Sequence, residues 1–429
     1  MVISRRAVAV AGLAAVALLL APTLAGVALV AVTWLGLLCL DALVAVHPRH
    51  LELQRSPLPP VRLTESLTTQ LQLRNPTRRT LDLQVRDAWP PSAGAVNNRF
   101  SVRLAGGRGR RLAITLTPER RGVQCADRVT VRSFGPLGLA GKQHSVRVAG
   151  CVKVLPEFAS RRHLPSRLAR LRELDGNALV LHGGQGSEFD SLRQYTPGDD
   201  VRAIDWRASA RSRQTMVRTF RPERDRQVLL VVDSGRSAAY RIGDTTRLEQ
   251  HIEAALLLTT LAERAGDQVG LLAVDTEVRV RVAPSRGQRV LHEVAAGLAG
   301  LTPQLLEADY ARLTDEVLQT LSQRSLVVLL TGVEAHLTMG LLDMVQALST
   351  RHVVVVAGAG DPQEVTLRAT RLDVAAVYTA AAAEMAEIGR QDTRLRLQRR
   401  AASVVEAPAA QLAPRLADHY LELKAKGRL

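Results

Sequence analysis

Apolar residues form one long, nearly unbroken run at the start of the chain. Between residues 7 and 46 the only charged residue is Asp41. One helix needs about 20 apolar residues to cross roughly 30 Å of hydrocarbon, so this run has room for two. A proline near the middle divides it. The pattern predicts a transmembrane hairpin over residues 1–47, with spans at 7–21 and 24–46 joined by a tight turn.

Basic residues flank both outer ends of this predicted hairpin. Arg5 and Arg6 precede it, and Arg49 and Arg55 follow it. Because positive charge collects on the cytoplasmic side of membrane proteins, both ends are expected in the cytoplasm. A cleaved signal peptide is the competing interpretation, but no polar gap precedes the second apolar run. We therefore predict an inner (plasma) membrane protein with two spans and cytoplasmic soluble domains.

Residues 48–152 alternate between apolar and polar positions. The alternation is clearest at 61–73, 81–85, 111–117 and 129–131, with turn residues between these segments. A period of two residues is that of a strand with one buried face. The segment therefore predicts a small antiparallel β-sandwich.

Residues 227–429 alternate between short apolar runs and longer segments of helical period. Strands are predicted at 227–232, 269–274, 278–282, 326–330 and 353–356, and helices at 246–265, 287–299, 309–323 and 338–349. Buried strands separated by helices indicate an α/β domain with a doubly wound, mostly parallel sheet. Ligands of such sheets bind at the carboxyl ends of the strands. The remaining residues, 153–226, are predicted to be a linker with a basic amphipathic helix at 161–172.

The chain carries a net charge of +16, and only four of its 57 basic residues are lysines. This arginine bias, with abundant Ala and Leu, is typical of a GC-rich bacterial genome. The charge favours an anionic partner such as nucleic acid or phospholipid headgroups. No segment interleaves aromatic residues with arginines as a base-stacking groove does, which argues against nucleic acid.

Three cysteines at positions 39, 125 and 151 are too widely spaced for a zinc site or a disulfide framework. Cys125 and Cys151 could meet in space, but we interpret them as unpaired thiols in a reducing compartment.

One segment of the linker resembles a known family. Residues 186–211 read GSEFDSLRQYTPGDDVRAIDWRASAR, and the C-terminal run 404–429 is also similar to the ending of that family. The segment resembles the signature of the bacterial family called domain of unknown function fifty-eight (DUF 58). The resemblance implies a membrane-anchored protein with a von Willebrand A-like (Rossmann-like) domain at 227–429. It also implies that the protein acts together with a MoxR-type AAA+ ATPase in envelope assembly or stress response.

The signature segment provides the candidate partner-binding or structural residues. They are Glu188, Phe189, Arg193, Tyr195, Gly198, Asp199, Arg202, Asp205, Trp206 and Arg211. The aromatic residues are potential anchors, the glycine follows a proline in a turn, and the arginines match the carboxylates as ion-pair partners. Such a network either fixes the loop on its own domain or forms a docking surface for a partner. Because neither a nucleophile nor a histidine accompanies the carboxylates, we do not expect an enzyme.

The strand at 227–232 ends in a sequence that is similar to the metal-site loop of von Willebrand A domains. Asp233 and Ser237 match the Asp-x-Ser-x-Ser pattern, but Gly235 replaces the first serine. Gly332 stands where a second Asp is expected, with Glu334 displaced from that position, and Thr302 is the candidate for the distal threonine. The resemblance implies a degenerate metal-ion-dependent adhesion site, at which Mg²⁺ is the candidate cofactor.

Three functions follow from these patterns. The first is a membrane-anchored protein-interaction adaptor with a MoxR-type AAA+ ATPase as partner and the lipid bilayer as its site of attachment. The alternatives are a charge-driven binder of nucleic acid or lipid surfaces and a metal-dependent hydrolase. The chain has no Gly-x-x-x-x-Gly-Lys motif, so ATP hydrolysis is expected from the partner.

Overall fold

The computed structural model describes residues 1–20, 23–181, 188–196, 201–221, 226–334 and 338–429. The chain divides into two units, Met1–Glu157 and Phe158–Leu429. Both units mix strands with helices, and several separate sheets are present.

The first unit begins with a short strand and two apolar helices. Strand β1 (Val2–Ile3) is followed by α1 (Arg5–Leu20) and α2 (Leu24–Val44). Within the described residues, the segment Leu24–His50 is long and apolar enough to cross a membrane, with a mean hydropathy of 2.3. This one segment is consistent with membrane anchoring.

Eleven further strands of the first unit form three sheets. They are β2 (Glu52–Arg55), β3 (Val61–Arg62), β4 (Leu67–Arg74), β5 (Leu81–Ala88), β6 (Ala95–Val96), β7 (Arg99–Leu104), β8 (Gly109–Leu116), β9 (Gly122–Cys125), β10 (Arg128–Phe134), β11 (Ala140–Val146) and β12 (Cys151–Leu155). The strand orders are β1-β11-β10-β5-β7, β2-β4-β8-β6 and β3-β12-β9. Alternate residues of these strands, such as Leu71, Leu83 and Val152, are buried in one common apolar core. The period of two in the sequence is therefore the period of burial.

Asp41, for which the sequence indicated no role, attaches the end of α2 to the turn before β11. Its carboxylate accepts hydrogen bonds from the backbone N–H groups of Leu137 (2.9 Å), Leu139 (2.7 Å) and Ala140 (2.8 Å). The side chain is buried. A buried carboxylate needs such donors to offset its desolvation, so this contact fixes α2 to the β-rich part of the unit.

The interpretation of Cys125 and Cys151 as unpaired thiols is wrong. The two residues lie directly opposite each other in the antiparallel pair β9 and β12, and they form a disulfide. Their sequence separation of 26 gave no sign of this, because only the register of the two strands brings them together. Disulfides persist in oxidising compartments, so the thiols no longer support a cytoplasmic location.

The second unit contains the larger sheet and most of the helices. Its strands are β13 (Glu188–Gln194), β14 (Met216–Arg221), β15 (Gln227–Asp233), β16 (Arg241–Ile242), β17 (Thr245–Thr246), β18 (Gln268–Val274), β19 (Val278–Ser285), β20 (Leu326–Leu330), β21 (Val353–Gly360) and β22 (Ser403–Pro408). Its helices are α3 (Leu164–Leu181), α4 (Trp206–Ser212), α5 (Arg247–Arg264), α6 (Arg289–Ala299), α7 (Tyr310–Thr320), α8 (Thr338–Ser349), α9 (Gln363–Ala369), α10 (Val374–Arg399) and α11 (Ala409–Ala425).

Six of these strands form one sheet in the order β19-β18-β15-β20-β21-β22. All neighbours are parallel except β19, which pairs antiparallel with β18 at one edge. Helices cover both faces. On one face, Leu229 and Val231 of β15 share a core with α7 and α8. On the other, α6 lies close to Leu271 of β18. Strands β15 and β20 are the two central strands, and their carboxyl ends lie side by side. We call this end of the sheet, where the candidate site lies, the sheet edge.

Candidate functional site

Asp233 ends the central strand β15 and is only 3% exposed. The Thr331 hydroxyl donates to one carboxylate oxygen at 2.6 Å, and the Tyr310 hydroxyl lies 3.4 Å from the same oxygen. The Gly235 N–H donates to the other oxygen at 2.8 Å. Burial raises the pKa of Asp233, although these three hydrogen bonds act in the opposite direction. Internal donors thus surround both oxygens of this carboxylate.

The two hydroxyl groups come from elements distant in the sequence. Thr331 directly follows β20, the parallel neighbour of β15, and Tyr310 is the first residue of α7. Asp309 caps that helix by accepting a hydrogen bond from the Arg312 N–H at 3.0 Å. Burial raises the pKa of Tyr310 well above its ordinary value, so its hydroxyl remains protonated as a donor.

Ser237 lies one turn beyond Asp233 and contacts a buried arginine. Its hydroxyl accepts a hydrogen bond from the Gly332 N–H at 2.8 Å. The guanidinium of Arg247, the first residue of α5, donates to the Ser237 carbonyl at 3.2 Å and to the Ala359 carbonyl at 3.0 Å. It also forms an ion pair with Glu334. These contacts hold a cation at the sheet edge beside Ser237.

Arg247 also explains why glycine occupies position 332. A Cβ atom there would overlap the side chains of Arg247 and Glu334, and it would lie only 2.6 Å from Ser237 Oγ. An aspartate at this position would therefore require the side chains of Arg247 and Glu334 to move. Where the metal-site pattern calls for a second carboxylate and a metal ion, this chain has an arginine side chain.

The residues at this edge do not fit a Mg²⁺ ion. No group of three or more His, Cys, Asp or Glu side chains within the described part of the chain is placed to hold a metal. Asp233 is engaged by internal donors, and Ser237 lies beside a guanidinium. Thr302, the candidate distal threonine, accepts from the Gln304 side chain at 3.4 Å instead, and Thr331 provides the hydroxyl at Asp233. Magnesium needs several oxygen ligands, whereas the Asp233 carboxylate is enclosed by internal donors and the Glu334 carboxylate is paired with Arg247.

The signature segment forms strand β13 and then the short helix α4, and β14, which follows the helix, pairs antiparallel with β13. Glu188 and Phe189 lie in β13, where their backbones pair with Arg221 and Phe220 of β14. The Arg193 guanidinium donates to the Gln194 carbonyl at 3.2 Å and to the Thr196 hydroxyl at 3.1 Å. The Tyr195 N–H donates to the Thr215 carbonyl at 2.8 Å. Gly198 and Asp199 lie outside the described residues.

The rest of the predicted set lies around α4. Asp205 caps this helix by accepting from the Ala208 N–H at 3.0 Å, and it pairs with Arg218 at 2.8 Å. The Ala208 N–H, followed by the Arg218 guanidinium, lowers the pKa of Asp205 below its ordinary value. Asp205 thus has an arginine partner, Arg218 of β14, that lies outside the predicted set. The first residue of the helix, Trp206, is 72% exposed.

The other two predicted arginines are exposed. Arg211 lies in the last turn of α4, where its Nε donates to the Arg207 carbonyl at 3.4 Å. Arg202 lies in a short 3₁₀ turn at Val201–Ala203. Trp206 and these two arginines are thus exposed within one short stretch of the chain.

Comparison with known proteins identifies one family and several relatives. The family model "Protein of unknown function DUF58" matches residues 191–407, just over half of the chain. "Uncharacterized protein Rv1480" of Mycobacterium tuberculosis (strain ATCC 25618 / H37Rv) is 28% identical over 205 residues, which covers 46% of this chain and 63% of that protein. "Uncharacterized protein YeaD" of Bacillus subtilis (strain 168) is 30% identical over 112 residues, covering 26% and 28% respectively.

Among solved structures, the Escherichia coli chaperone DraB is similar to 24% of this chain and 54% of its own, at 18% identity and a TM-score of 0.18. The chain spans 63% of the length of the mycobacterial relative.

Proposed function

We propose that this chain, which belongs to the DUF58 family of proteins of unknown function, is a membrane-anchored protein-interaction adaptor. Its proposed partner is a MoxR-type AAA+ ATPase, and the proposed setting is envelope assembly or stress response. The α/β unit, taken as von Willebrand A-like, is the proposed binding domain. The partner type, the setting and the von Willebrand A-like assignment rest on family resemblance, whereas the contact surface is argued from the described residues.

The exposure of Trp206 is the observation that carries the proposal. A tryptophan that only packed the linker against its own domain would be buried, yet the Trp206 ring is 72% exposed. Val201 and Leu192, from the same segment, are also exposed apolar residues. Trp and Arg dominate the energetic centres of protein interfaces. This combination favours a partner-docking surface over an internal clamp.

The chemistry of the sheet edge supports a binding role over catalysis. Asp233 is buried and engaged by Thr331, Tyr310 and Gly235. A general base needs an accessible proton acceptor near its substrate, and a hydrolytic metal needs an open coordination position. Neither is provided by a carboxylate enclosed in this way, so we keep the proposal that the chain is not an enzyme.

The effect of Trp206→Ala is the direct test. We expect binding of the AAA+ partner to weaken at least 30-fold, which corresponds to about 2 kcal/mol for an interface centre. The melting temperature should stay unchanged because the ring is exposed. The measurement is affinity purification of the detergent-solubilised native protein with mass spectrometry, followed by titration of the recovered partner. Val123→Ala, an exposed apolar position in the first unit, is the control and should bind normally.

Two results would contradict the adaptor proposal. A lower melting temperature with unchanged binding would make Trp206 structural. Recovery of the protein alone, or only with RNA or lipid, would favour the charge-driven binder that the net charge of +16 also allows.

The membrane attachment is proposed to be a two-helix hairpin. Strand β1, which precedes α1, pairs with β11, and Asp41 near the end of α2 binds the turn that leads into β11. The residues before the first helix and the last turn of the second helix are thus both held at β11 and the turn before it. A chain that starts and returns on one side must cross the membrane an even number of times, which supports two spans.

The soluble units are proposed to face the cytoplasm, because Arg5, Arg6 and Arg49 flank the hairpin. Protease added to spheroplasts should then leave the full-length chain intact, and it should digest the chain only after lysis. Immunoblotting of a C-terminal tag gives the readout. Digestion in intact spheroplasts would instead place both units outside the cytoplasm, in an oxidising compartment where the Cys125–Cys151 disulfide is stable.

A further inference from the structure

Helix α10 exposes an apolar stripe along nearly its whole length. The stripe consists of Val374 (73% exposed), Tyr378 (74%), Met385 (69%), Ile388 (52%) and Leu395 (53%). Exposed single apolar residues are ordinary, but a continuous line of large ones marks a contact surface. We call these residues, together with Ala381 and Asp392, the α10 seam.

The spacing of the seam is that of a coiled coil. Residues 374, 381, 388 and 395 recur every seven positions, and residues 378, 385 and 392 form a second series offset by four. Six of these seven positions are apolar, and Asp392 is the exception. Two interleaved apolar series with a period of seven form the a/d seam that packs against another helix by knobs into holes. A seam of this kind indicates that the partner which covers it is another helix.

The other faces of α10 hold it firmly in the second unit. Leu397 is fully buried in the core that it shares with α7 and α8. The Arg390 guanidinium forms ion pairs with Glu387 of the same helix, Glu364 of α9 and Glu406 of β22. The helix is therefore presented as a fixed ridge about 39 Å long, with the seam on its outer side.

The charges along α10 favour a second copy of the same helix, running antiparallel to the first. The helix begins with Asp373 as its N-cap and ends with Arg396 and Arg399 in its last turn. Two antiparallel copies bring the acidic start of each helix beside the basic end of the other. A parallel pair would instead place the two Asp392 carboxylates face to face in the seam, which is unfavourable for like charges. The helix is thus complementary to an inverted copy of itself.

We propose that a second copy of this chain covers the α10 seam, forming an antiparallel homodimer through α10. In the register that pairs most of the seam, Tyr378 lies opposite Leu395 of the second copy, and Met385 lies opposite Ile388. Asp392 then faces the small Ala381. The proposal is independent of the adaptor function and adds an oligomeric state to it.

Analytical ultracentrifugation of the full chain in density-matched detergent tests the dimer. The native protein should sediment with twice the mass of one chain. Ile388→Asp should weaken dimerisation at least 100-fold and give the single-chain mass. Ala386→Asp, which adds the same charge to the same helix outside the seam, should remain dimeric. Circular dichroism should show the same helical content for both variants, since both positions are exposed.

Cross-linking tests the direction. In a Cys39→Ser background, which removes the free cysteine, Tyr378→Cys with Leu395→Cys should give a disulfide-linked dimer under mild oxidation. The two positions are 17 residues apart, about 26 Å along a helix, so one chain cannot join them. Neither single variant should cross-link in an antiparallel pair. A single-chain mass for the native protein, or cross-linking by the single variants, would overturn the proposal.

Discussion

Arg247→Met is expected to lower the free energy of unfolding by about 3 kcal/mol, because it removes one partner of a buried ion pair. The guanidinium is 6% exposed, and Glu334 is 20% exposed. Losing the arginine leaves that carboxylate without its cation and removes the guanidinium donors from the carbonyls of Ser237 and Ala359. Breaking buried pairs costs about 3–5 kcal/mol, and the partial exposure of Glu334 to water favours the lower end.

Denaturant unfolding followed by circular dichroism measures this loss. Adding Glu334→Gln to Arg247→Met should recover at least about 1 kcal/mol, since the unpaired charge is then removed. Arg281→Met is the matched control: Arg281 also pairs with a glutamate, Glu316, but it is 48% exposed. An exposed pair of that kind contributes about 0–1 kcal/mol. Equal losses at positions 247 and 281 would show that Arg247 does not organise the sheet edge.

The result for Arg247→Met bears on why this chain has Gly332 where the metal-site pattern has an aspartate. If the arginine stabilises this edge, a residue larger than Gly332 is disfavoured because it would displace the ion-paired side chains of Arg247 and Glu334. The absence of an aspartate at position 332 then reflects a different way of filling the site. A fixed side-chain cation contacts both Ser237 and Glu334 there.

The buried strands were predictable from the sequence because each is a continuous apolar run. Strand β20 occupies the predicted positions 326–330, and β15 extends one residue beyond its prediction to Asp233. By contrast, the sequence pattern did not predict helix α10. Its first half is rich in alanine, and its apolar residues face outward, so the periodicity of a helix packed on a core is missing.

The site was predictable only where its residues are close together in the sequence. Asp233 and Ser237 lie on one loop, and their spacing identified them. Arg247, Tyr310 and Thr331 reach the same edge from α5, α7 and the end of β20. Their convergence depends on strand order and helix placement, which residue spacing does not encode. The position of Thr331 directly after a predicted buried strand was the one local signal that pointed to it.

His251→Leu is expected to make the second unit more resistant to acid. His251 is fully buried in α5, and neither ring nitrogen has a hydrogen-bond partner among the described residues. Burial, followed by the charge of Arg247, lowers its pKa from 6.5 to about 3. Between these values the unfolded chain binds a proton that the folded chain does not. The stability that depends on neutral His251 is therefore present above pH 6.5 and is lost as the pH falls towards 3.

The expected size follows from the same linkage. Each pH unit in this window costs about 1.4 kcal/mol, so the native protein should lose roughly 2 kcal/mol between pH 6.5 and 5 through this residue. Leucine does not titrate and has no polar atoms that require partners, so the variant should lose about 2 kcal/mol less over that interval. Asp233, whose raised pKa acts with the opposite sign, is present in both proteins and cancels in the difference. Denaturant unfolding at several pH values gives the comparison.

The control is an exposed histidine on the neighbouring helix. His292→Leu on α6 changes a side chain whose solvation differs little between the folded and unfolded chains, so its pH profile should match that of the native protein. Parallel profiles for His251→Leu and the native protein would mean that the buried imidazole is protonated in the folded chain. The folded chain would then hold a second cation next to Arg247. Such a result would contradict the prediction that burial keeps His251 neutral.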